Sequence, residues 1–225
     1  MNVTAPAGPC YTDALVRLYH GDTLRVLAAH GEAIWPVQTV LTAPPWFWFR
    51  ASQALVDGRQ PWTVKAEAEW LAGALDYTVQ WWAAAARLIN DASGRLWVVT
   101  HVSYLGAYAR CALLMGWPTP QVWTTSGSPV AVLQAGARVP LDVYVGVLRR
   151  LEAAVNPIED MALLEYIALV SGGPVLDPFC GTGRTLVSAS RVGLRSVGID
   201  KDWAQIAAAM ACLRSARRGR PARAV

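Results

Sequence analysis

One stretch near the end of the chain constrains the fold more than any other. Residues Val175–Thr185 open with an apolar run that ends at Asp177, turn through Gly181 and Gly183, and continue into a segment of helical character. A second apolar run ends at Asp200. A strand, a glycine turn, a helix and a second strand ending in an acid form a nucleoside-binding βαβ unit. Glycine lets the backbone approach a ligand closely, and the second acid can accept hydrogen bonds from both ribose hydroxyls.

Upstream of this unit, short apolar runs alternate with segments of helical periodicity. We expect strands at 15–20, 37–41, 96–100, 121–124 and 143–148, and helices at 23–30, 65–90, 104–115, 159–170 and 203–217. Residues 126–139 contain several Gly and Pro residues, which favours a loop between the strands around Val122 and Val143. Those two strands lack an intervening helix, so they are predicted to pair antiparallel at one edge. The pattern predicts a doubly wound, mostly parallel α/β sheet.

A second loop stands out at residues 42–50. The predicted strand at 37–41 runs into Thr42-Ala43-Pro44-Pro45-Trp46-Phe47-Trp48-Phe49-Arg50. Two consecutive prolines cannot continue a strand ladder, so the strand must end there. The sequence therefore predicts an aromatic loop at the carboxyl edge of the sheet, where open α/β sheets bind ligands.

Composition narrows the setting. With 54% hydrophobic residues, the chain can bury a substantial core. No uninterrupted apolar stretch reaches the roughly 18 residues that a spanning helix needs, and the first residues lack the features of a signal peptide. The 4 cysteines are scattered without CxxC spacing, which fits a reducing cytoplasm better than disulfides or a metal site. We therefore expect a cytoplasmic protein with neither a membrane nor a metal as partner.

The charge of the chain favours an anionic partner. The formal net charge is +4, and arginines crowd the end of the sequence at Arg214, Arg217, Arg218, Arg220 and Arg223. This segment is either a solvated tail or an arm that neutralises phosphates. Most of the 11 tryptophans should fill the core, including Trp81 and Trp82, while a minority on loops can stack on bases.

The two loops together resemble the DNA amino-methyltransferases of the permuted beta group. The cofactor motif of that family reads roughly LDPFxGSGTT, and this chain has LDPFCGTGRT at residues 176–185. Thr42-Ala43-Pro44-Pro45-Trp46 resembles the TSPPY or DPPY catalytic motif, which comes first in the chain in this group. His20-Gly21-Asp22-Thr23-Leu24 resembles the GD-x-L segment, and Asn156-Pro157 stands where a Lys-Pro pair is usual. The resemblance extends over nearly the whole chain.

The resemblance implies a fold of the class I S-adenosylmethionine-dependent methyltransferase type in a single domain, residues 1–225. Its parts would be an irregular N-terminus at 1–14, a catalytic-motif half at 15–150, a cofactor-binding half at 151–213 and a basic tail at 214–225. The implied cofactor is S-adenosylmethionine and the implied substrate is DNA, as in restriction-modification systems. Small enzymes of this kind can dimerise to gain contact area, so a homodimer is a further expectation.

Individual roles follow by position. The implied cofactor site comprises Asp22, Asp177, Pro178, Phe179, Gly181, Thr182, Gly183, Thr185 and Asp200. Asp200 would hold the ribose hydroxyls, Asp177 would meet the methionine amino group directly or through water, and Asp22 would lie near the adenine. The implied catalytic segment is Ala43, Pro44, Pro45 and Trp46. The nucleic-acid contacts would come from Trp48, Arg50, Arg214, Arg217, Arg218 and Arg220.

Within the catalytic segment, Pro44 would present its carbonyl to the amino group of a flipped-out base, and Trp46 would stack on that base. Ala43 is the departure from the family pattern. Relatives carry Asp, Asn or Ser there, and that side chain accepts a hydrogen bond from the amino nitrogen. Losing such a bond typically costs about 10²–10³ in rate. Thr42 could supply the missing oxygen if its side chain points inward.

Two functions of different classes follow. The first is an S-adenosylmethionine-dependent enzyme that methylates an exocyclic amino group of adenine or cytosine in DNA. The Thr42 and Trp46-Phe47 pattern tilts slightly towards cytosine and leaves the choice open. The second is a catalytically lapsed relative that binds nucleic acid or a methyltransferase partner. Methylation of RNA or of protein amides is a third reading, which the order of the motifs disfavours. The recognised site remains open, with the loops at 51–64 and 124–140 and the tail as candidate readers.

Overall fold

A computed structural model describes residues 8–34, 36–44, 64–89, 93–126, 130–155 and 160–218. Its centre is one sheet of 8 strands. In chain order these are β1 (Tyr11–Thr12), β2 (Val16–His20), β3 (Thr39–Thr42), β4 (Arg95–His101), β5 (Gln121–Thr124), β6 (Val130–Gly136), β7 (Val175–Asp177) and β8 (Ser196–Asp200). Their order across the sheet is β1-β2-β8-β7-β3-β4-β6-β5.

Seven α-helices are described in these ranges and pack on the sheet. They are α1 (Thr23–His30), α2 (Val64–Ala86), α3 (Leu105–Leu114), α4 (Leu141–Ala153), α5 (Met161–Ser171), α6 (Arg184–Arg191) and α7 (Trp203–Arg218). Short 3₁₀ turns lie at Gly31–Ala33 and Val102–Tyr104. Within the described part of the chain, no helix is long and apolar enough to cross a membrane.

The middle of the sheet is parallel. The β2, β8, β7, β3 and β4 strands pair in parallel through four consecutive ladders. Parallel strands share one carboxyl edge, so the residues that follow β2, β3, β7 and β8 come together there. Antiparallel pairs flank this centre, with β1 on β2 at one side and β6 between β4 and β5 at the other. The prediction of a mostly parallel α/β sheet with an antiparallel edge is confirmed.

At the antiparallel edge, the strand predicted at 121–124 is confirmed as β5, but its partner strand was predicted wrongly. Residues 130–136, expected to be loop, form β6, which pairs with β4 on one side and β5 on the other. Its side chains are buried, and the amide of Gln134 donates to the carbonyls of Ala135 and Ala137 at 2.7 and 2.9 Å. The flanking Gly and Pro residues suggested a loop, but two neighbouring strands satisfy this backbone.

The segment around Val143, expected to be a strand, is helix α4. Val147 and Leu151 are buried at a spacing of one helical turn, and the helix follows Pro140, whose fixed φ suits a helix start. The guanidinium of Arg150 lies 3.7 Å from the centre of the Tyr166 ring on α5. Burial of this helical stripe outweighs the strand preference of the β-branched valines.

Other boundaries moved by a few residues. Strand β3 occupies Thr39–Thr42 rather than 37–41, and α2 ends at Ala86 rather than at residue 90. Tyr11–Thr12 forms a short strand inside a segment expected to be irregular, and α7 continues to Arg218 through the start of the expected tail. Residues 51–63 and 156–159, which include Asn156-Pro157 and most of one predicted loop, lie outside the described residues.

The core is rich in tryptophan, as predicted. Trp81 and Trp82 on α2 are fully buried, as are Trp97 on β4 and, nearly so, Trp123 on β5. The rings of Trp97 and Trp123 stack at 5.3 Å between centroids. The ring of Trp81 also meets Phe179 edge to face at 5.2 Å, so the core beneath α2 supports the glycine loop directly.

Candidate active site

The glycine loop connects β7 to α6 at the carboxyl edge. Gly183 stands before Arg184 with φ 80°, a left-handed conformation that glycine adopts without cost. A Cβ on Gly183 would lie 2.9 Å from the Cβ of Ala209 on α7. The loop therefore needs glycine for two reasons, its backbone conformation and the close passage of α7.

Asp177 lies buried at the end of β7 and joins the two halves of the chain. Its Oδ1 accepts the hydroxyl of Thr42 at 2.6 Å and the backbone N–H of Phe179 at 3.1 Å. The Thr185 side chain also bonds to this carboxylate. Burial raises the pKa of Asp177 to about 6, and the charge of Asp200 adds to the rise, while the hydrogen bonds oppose it. A carboxylate held this way can pair with a cation at neutral pH.

Asp200 ends β8 and fixes the other side of the glycine loop. Its Oδ2 accepts the backbone N–H of Gly181 at 2.9 Å, and its Oδ1 accepts that of Asp202 at 2.9 Å. The backbone N–H of Gly21 donates to the Asp200 carbonyl at 2.9 Å. Each carboxylate oxygen has a second lone pair, so Asp200 retains capacity for two hydroxyl donors.

The turn after β2 closes the same end of the site. Asp22 caps α1 by accepting the N–H of Arg25 at 3.2 Å, and its other oxygen accepts the hydroxyl of Tyr77 at 3.3 Å. Burial, with the charge of Asp22 second, raises the pKa of Tyr77 to about 12, so the phenol remains a donor. The hydroxyl of Thr23 donates to the carbonyl of Pro178 at 2.5 Å. This turn is therefore anchored to the glycine loop.

These residues surround a first cavity of about 460 Å³. Its lining consists of Asp22, Thr23, Ala43, Tyr77, Phe179, Gly181, Asp200, Lys201 and Gln205. Thr23, Tyr77, Lys201 and Gln205 were not predicted to be site residues from the sequence. Lys201 and Gln205 follow the strand-ending acid by one residue and by little more than one helical turn, a signal that could have found them. Tyr77 comes from α2, and only the tertiary structure brings it here.

A second cavity of about 290 Å³ lies against the other side of the glycine loop. Its lining consists of Ala43, Val99, Leu164, Asp177, Phe179, Cys180, Gly181, Thr182, Arg184, Thr185 and Gln205. Four residues line both cavities, namely Ala43, Phe179, Gly181 and Gln205. The fold therefore places the end of β3 next to the glycine loop. The two sequence motifs must be adjacent in this way if they form one site.

The residues expected to form the site are distributed as follows. Those lining a cavity are Asp22, Ala43, Asp177, Phe179, Gly181, Thr182, Thr185 and Asp200. Pro178 and Gly183 line neither cavity and form part of the backbone of the glycine loop. Pro44 follows Ala43 and is buried. Pro45, Trp46, Trp48 and Arg50 lie outside the described residues.

The hydroxyl of Thr42 does not line either cavity, because it is directed to Asp177. Thr42 is almost fully buried, at 1% exposure. The possibility that Thr42 supplies the oxygen missing at Ala43 therefore finds no support in this geometry. Its role is to tie β3 to β7 at the centre of the site.

Arg214 and Arg217, in the basic segment, line neither cavity. Arg214 and Arg217 are exposed on α7, and Arg217 forms an ion pair with Asp13 at 2.5 Å. Arg218 is the last residue of α7, and Arg220 lies outside the described residues. That these arginines contact nucleic acid remains a prediction.

His20 and Cys180 lie near the site. The ring of His20 meets Trp203 edge to face at 5.1 Å, and its Nε2 lies 3.1 Å from the Lys201 carbonyl oxygen. Burial raises the pKa of the Cys180 thiol well above its ordinary value, which favours the neutral thiol over the thiolate. Among the described residues, no group of three or more His, Cys, Asp or Glu side chains is placed to hold a metal ion.

Comparison with known sequences gives local matches. Residues 153–211 match a family model described as DNA methylase. A stretch of 53 residues is 50% identical to the tRNA (guanine(10)-N2)-dimethyltransferase of Methanothermobacter thermautotrophicus, covering 24% of this chain and 16% of that protein. The corresponding enzyme of Methanocaldococcus jannaschii is 43% identical over 42 residues, which is 19% of this chain and 12% of that protein. The match therefore spans only a small part of these relatives.

Comparison with solved structures covers nearly the whole chain. TTHA0409, a candidate DNA modification methylase from Thermus thermophilus, has a TM-score of 0.66 at 20% identity, over 90% of this chain and 96% of that one. The cytosine-N4-specific PvuII DNA methyltransferase has a TM-score of 0.59 at 15% identity, over 97% and 91%. At identities this low, the structural similarity establishes a shared fold and nothing more. The predicted resemblance is confirmed: the chain has the fold of the DNA amino-methyltransferases, and residues 153–211 carry the sequence pattern of the DNA methylase family.

Proposed function

We propose that the protein is an S-adenosylmethionine-dependent methyltransferase that methylates an exocyclic amino group of adenine or cytosine in DNA. One observation carries the proposal. Two cavities meet at Ala43, Phe179, Gly181 and Gln205, one beside the acids expected to hold a nucleoside and one beside the end of the proline motif. A donor in the first cavity and an acceptor entering by the second would meet at this junction.

The first cavity, together with Asp177 in the lining of the second, fits the cofactor. Its volume of about 460 Å³ is within the usual range for a small-molecule site. Asp200 and Asp22 provide carboxylate acceptors for hydroxyl and amino hydrogens. Asp177 provides a buried carboxylate for an ammonium group. When bound, S-adenosylmethionine supplies an electrophilic methyl group on a sulfonium.

The protein then has two tasks on the cofactor side. Asp200 orients the ribose while its Oδ2 accepts the backbone N–H of Gly181 and so holds the glycine loop in place. Asp177, kept in place by Thr42 and Phe179, pairs with the amino group of the methionine part and fixes the direction of the methyl. Correct placement supplies most of the rate, because the amine needs no strong base before it attacks and releases its proton to water afterwards.

The target base must leave the duplex to reach this junction. Pro44 would receive one amino hydrogen at its carbonyl, and Trp46 would stack on the base. Pro45, Trp48 and Arg50 would complete the target side, and Arg214, Arg217, Arg218 and Arg220 would contact phosphates. A homodimer, which would enlarge the contact area on DNA, and a cytoplasmic location belong to this proposal.

An amino group in RNA is the second candidate substrate. The local identity to two archaeal tRNA (guanine(10)-N2)-dimethyltransferases favours it. The DNA methylase family match and the whole-chain structural likeness to DNA enzymes favour DNA. The lapsed-enzyme alternative rests on Ala43 and the basic tail, and the intact hydrogen bonds around Asp177 and Asp200 speak against it.

The test offers both nucleic acids to the same protein. Purified protein is incubated with tritium-labelled S-adenosylmethionine and either unmethylated DNA or transfer RNA, and labelled nucleosides are separated after digestion. Asp200→Ala serves as the control that lacks the cofactor site. We expect label in N6-methyladenine or N4-methylcytosine from DNA. Label only in guanine of RNA would move the substrate to RNA.

Calorimetric titration with the cofactor separates the remaining outcomes. Cofactor binding without label in either nucleic acid identifies a lapsed enzyme. Absence of cofactor binding in a folded protein overturns the proposal as a whole.

A further inference from the structure

The second cavity has an apolar wall at Ala43. Ala43, Val99 and Leu164 line it and belong to one hydrophobic cluster. Val99 and Leu164 are 1% and 3% exposed. Thr42 pairs with Val98 across β3 and β4, so Ala43 and Val99 take neighbouring positions one residue further along. The side chains of this wall offer no hydrogen-bond acceptor.

The carboxylate in the lining of this cavity does not compensate for the wall. Asp177 already accepts hydrogen bonds from Thr42 and Phe179 on Oδ1, and from the Thr185 side chain. Under the proposed function it also faces the cofactor. The other polar side chains of the lining, Thr182, Arg184, Thr185 and Gln205, belong to the glycine loop, α6 and α7 and not to the wall at Ala43. An amino hydrogen directed at Ala43 therefore loses its water partner and meets no acceptor on that wall.

A primary amino group has two hydrogens on its nitrogen. The position that faces the apolar wall can carry either a hydrogen or a methyl group, and the wall suits only the methyl group. Pro44 would satisfy one N–H through its carbonyl. Under the proposed function the other position would face Ala43, where an N–H would be unpaired and a methyl group would make apolar contact. A primary amine is thus poorly matched to this site, and a secondary amine is well matched.

We propose that the enzyme accepts an amino group that already carries one methyl and converts it to a dimethylamino group. This inference rests on the proposed function and extends it to a second substrate class, the N-methylated bases. In the step, the nitrogen lone pair forms the new N–C bond as the S–CH₃ bond breaks. The bonding pair stays on sulfur, which becomes a thioether, and the remaining amine proton leaves to water. Atoms and electrons balance without a further reagent.

The test uses two pools of random-sequence duplex DNA. One carries unmodified adenine and cytosine, and the other is partly substituted with N6-methyladenine and N4-methylcytosine. Each pool is incubated with the protein and S-adenosylmethionine, and nucleosides are quantified by mass spectrometry. Cofactor-free binding of each pool is measured by fluorescence anisotropy. The variants are Ala43→Ser, which adds an acceptor, and Ala43→Val, which fills the space beside it.

We expect wild-type protein to form dimethylated nucleosides from the substituted pool. Ala43→Ser should lower the ratio of second to first methyl transfer at least about tenfold, the discrimination that one methyl group gains in an apolar pocket. Ala43→Val should reduce use of the substituted pool more than use of the unmodified pool. In anisotropy, wild type should bind the substituted pool more tightly, and Ala43→Ser should lose this preference.

The outcomes distinguish this inference from the proposed function. If unmodified DNA is methylated, the products stop at one methyl and the two pools bind alike, the inference is wrong and the proposed function stands. If neither pool is methylated by a protein that binds the cofactor in calorimetry, both are overturned.

Discussion

The two sides of the cavity junction are built in different ways. On the cofactor side, Asp177 and Asp200 each hold backbone N–H groups of the glycine loop, at 3.1 and 2.9 Å. On the target side, Ala43 lies against Val99 and Leu164 and contributes no polar side-chain atom. The fixed hydrogen-bonding groups of the cofactor side form a polar frame that suits a single ligand, the cofactor. The apolar wall at Ala43 has no such groups, so the acceptor there is selected by its shape. Changes on the cofactor side should therefore affect binding, and changes on the target side should affect turnover.

The largest expected effect comes from the glycine loop. In Gly183→Ala the new methyl must enter space held by Ala209 while the backbone keeps a left-handed φ. Overpacking and left-handed strain together cost roughly 2–4 kcal/mol. We expect the loop to shift and cofactor binding in calorimetry to be lost. The matched control is Gly106→Ala on α3, where a Cβ meets nothing within 4 Å. A Gly183→Ala protein that binds the cofactor normally would show that the loop is not the cofactor site.

The next effect concerns the acid at the end of β8. Asp200→Asn keeps the size of the side chain and removes its charge. A hydrogen bond to a charged group contributes about 1.5–3 kcal/mol, so the Kd for S-adenosylmethionine should rise roughly 10- to 100-fold. Asp202→Asn is the control, because Asp202 is exposed and caps Ala204 through an oxygen that asparagine retains. Equal affinities for both variants would contradict the assignment of Asp200 to the ribose.

The pH dependence of binding should be smaller and should come from Asp177. Its pKa of about 6 means that the carboxylate is mostly ionised at pH 7 and about one tenth ionised at pH 5. Because the ionised form pairs with the ammonium group, the Kd should rise about tenfold as pH falls from 7 to 5. Calorimetry across this range checks the trend. Asp177→Asn should bind more weakly and show little of this pH dependence, and a variant that retains the full dependence would assign the titration to another group.

The raised pKa of Asp177 also affects the free energy of unfolding, with the opposite dependence on pH. The pKa of Asp177 is raised above its ordinary value of 3.8, so the folded protein binds the proton more tightly than the unfolded chain. The contribution of Asp177 to the free energy of unfolding is therefore largest below pH 3.8 and falls as pH rises to about 6. Without cofactor, Asp177→Asn should have a higher free energy of unfolding relative to wild type at pH 7 than at pH 4. Denaturant titrations at both values test this, and an unchanged difference would contradict it.

The smallest effect concerns the bond between the two sides. Thr42→Val removes the hydroxyl that donates to Asp177 at 2.6 Å and nearly preserves the volume. The free energy of unfolding should fall by about 1–3 kcal/mol, because a buried acceptor loses its donor. Thr42→Ser, which keeps the hydroxyl, should lie much closer to wild type in the same denaturant titration. If both variants unfold alike, the hydroxyl does not stabilise the junction.

The arrangement of the glycine loop and its flanking acids could be predicted from the sequence far better than the surroundings of Ala43. Asp177, Gly181, Gly183 and Asp200 lie within 24 residues in one βαβ unit, so local pattern determines their arrangement. Tyr77 and Val99 reach the site from α2 and β4, and no local pattern reports such an approach. The target loop beyond Pro44 lies outside the described residues, so Trp46, Trp48 and Arg50 remain predictions.

The errors in the fold have a similar origin. The strand β6 is bordered by Gly and Pro residues in the sequence. Its backbone pairs with β4, which is distant in the sequence, and with β5, which comes shortly before it. The helix α4 is rich in valine, and its packing on α5 decides its conformation. In both cases tertiary partners overrode the local preference.

The most direct test of the difference between the two sides is one pair of measurements on Ala43→Ser. The Kd for S-adenosylmethionine is measured by calorimetry, and the rate of methyl transfer to unmodified DNA is measured with the labelled cofactor. We predict a Kd within about twofold of wild type, because serine adds no contact to the polar frame, and a rate at least about tenfold higher, because the amino group regains an acceptor. An unchanged rate together with a changed Kd would contradict the account, since it would show that residue 43 acts on the cofactor rather than on the acceptor.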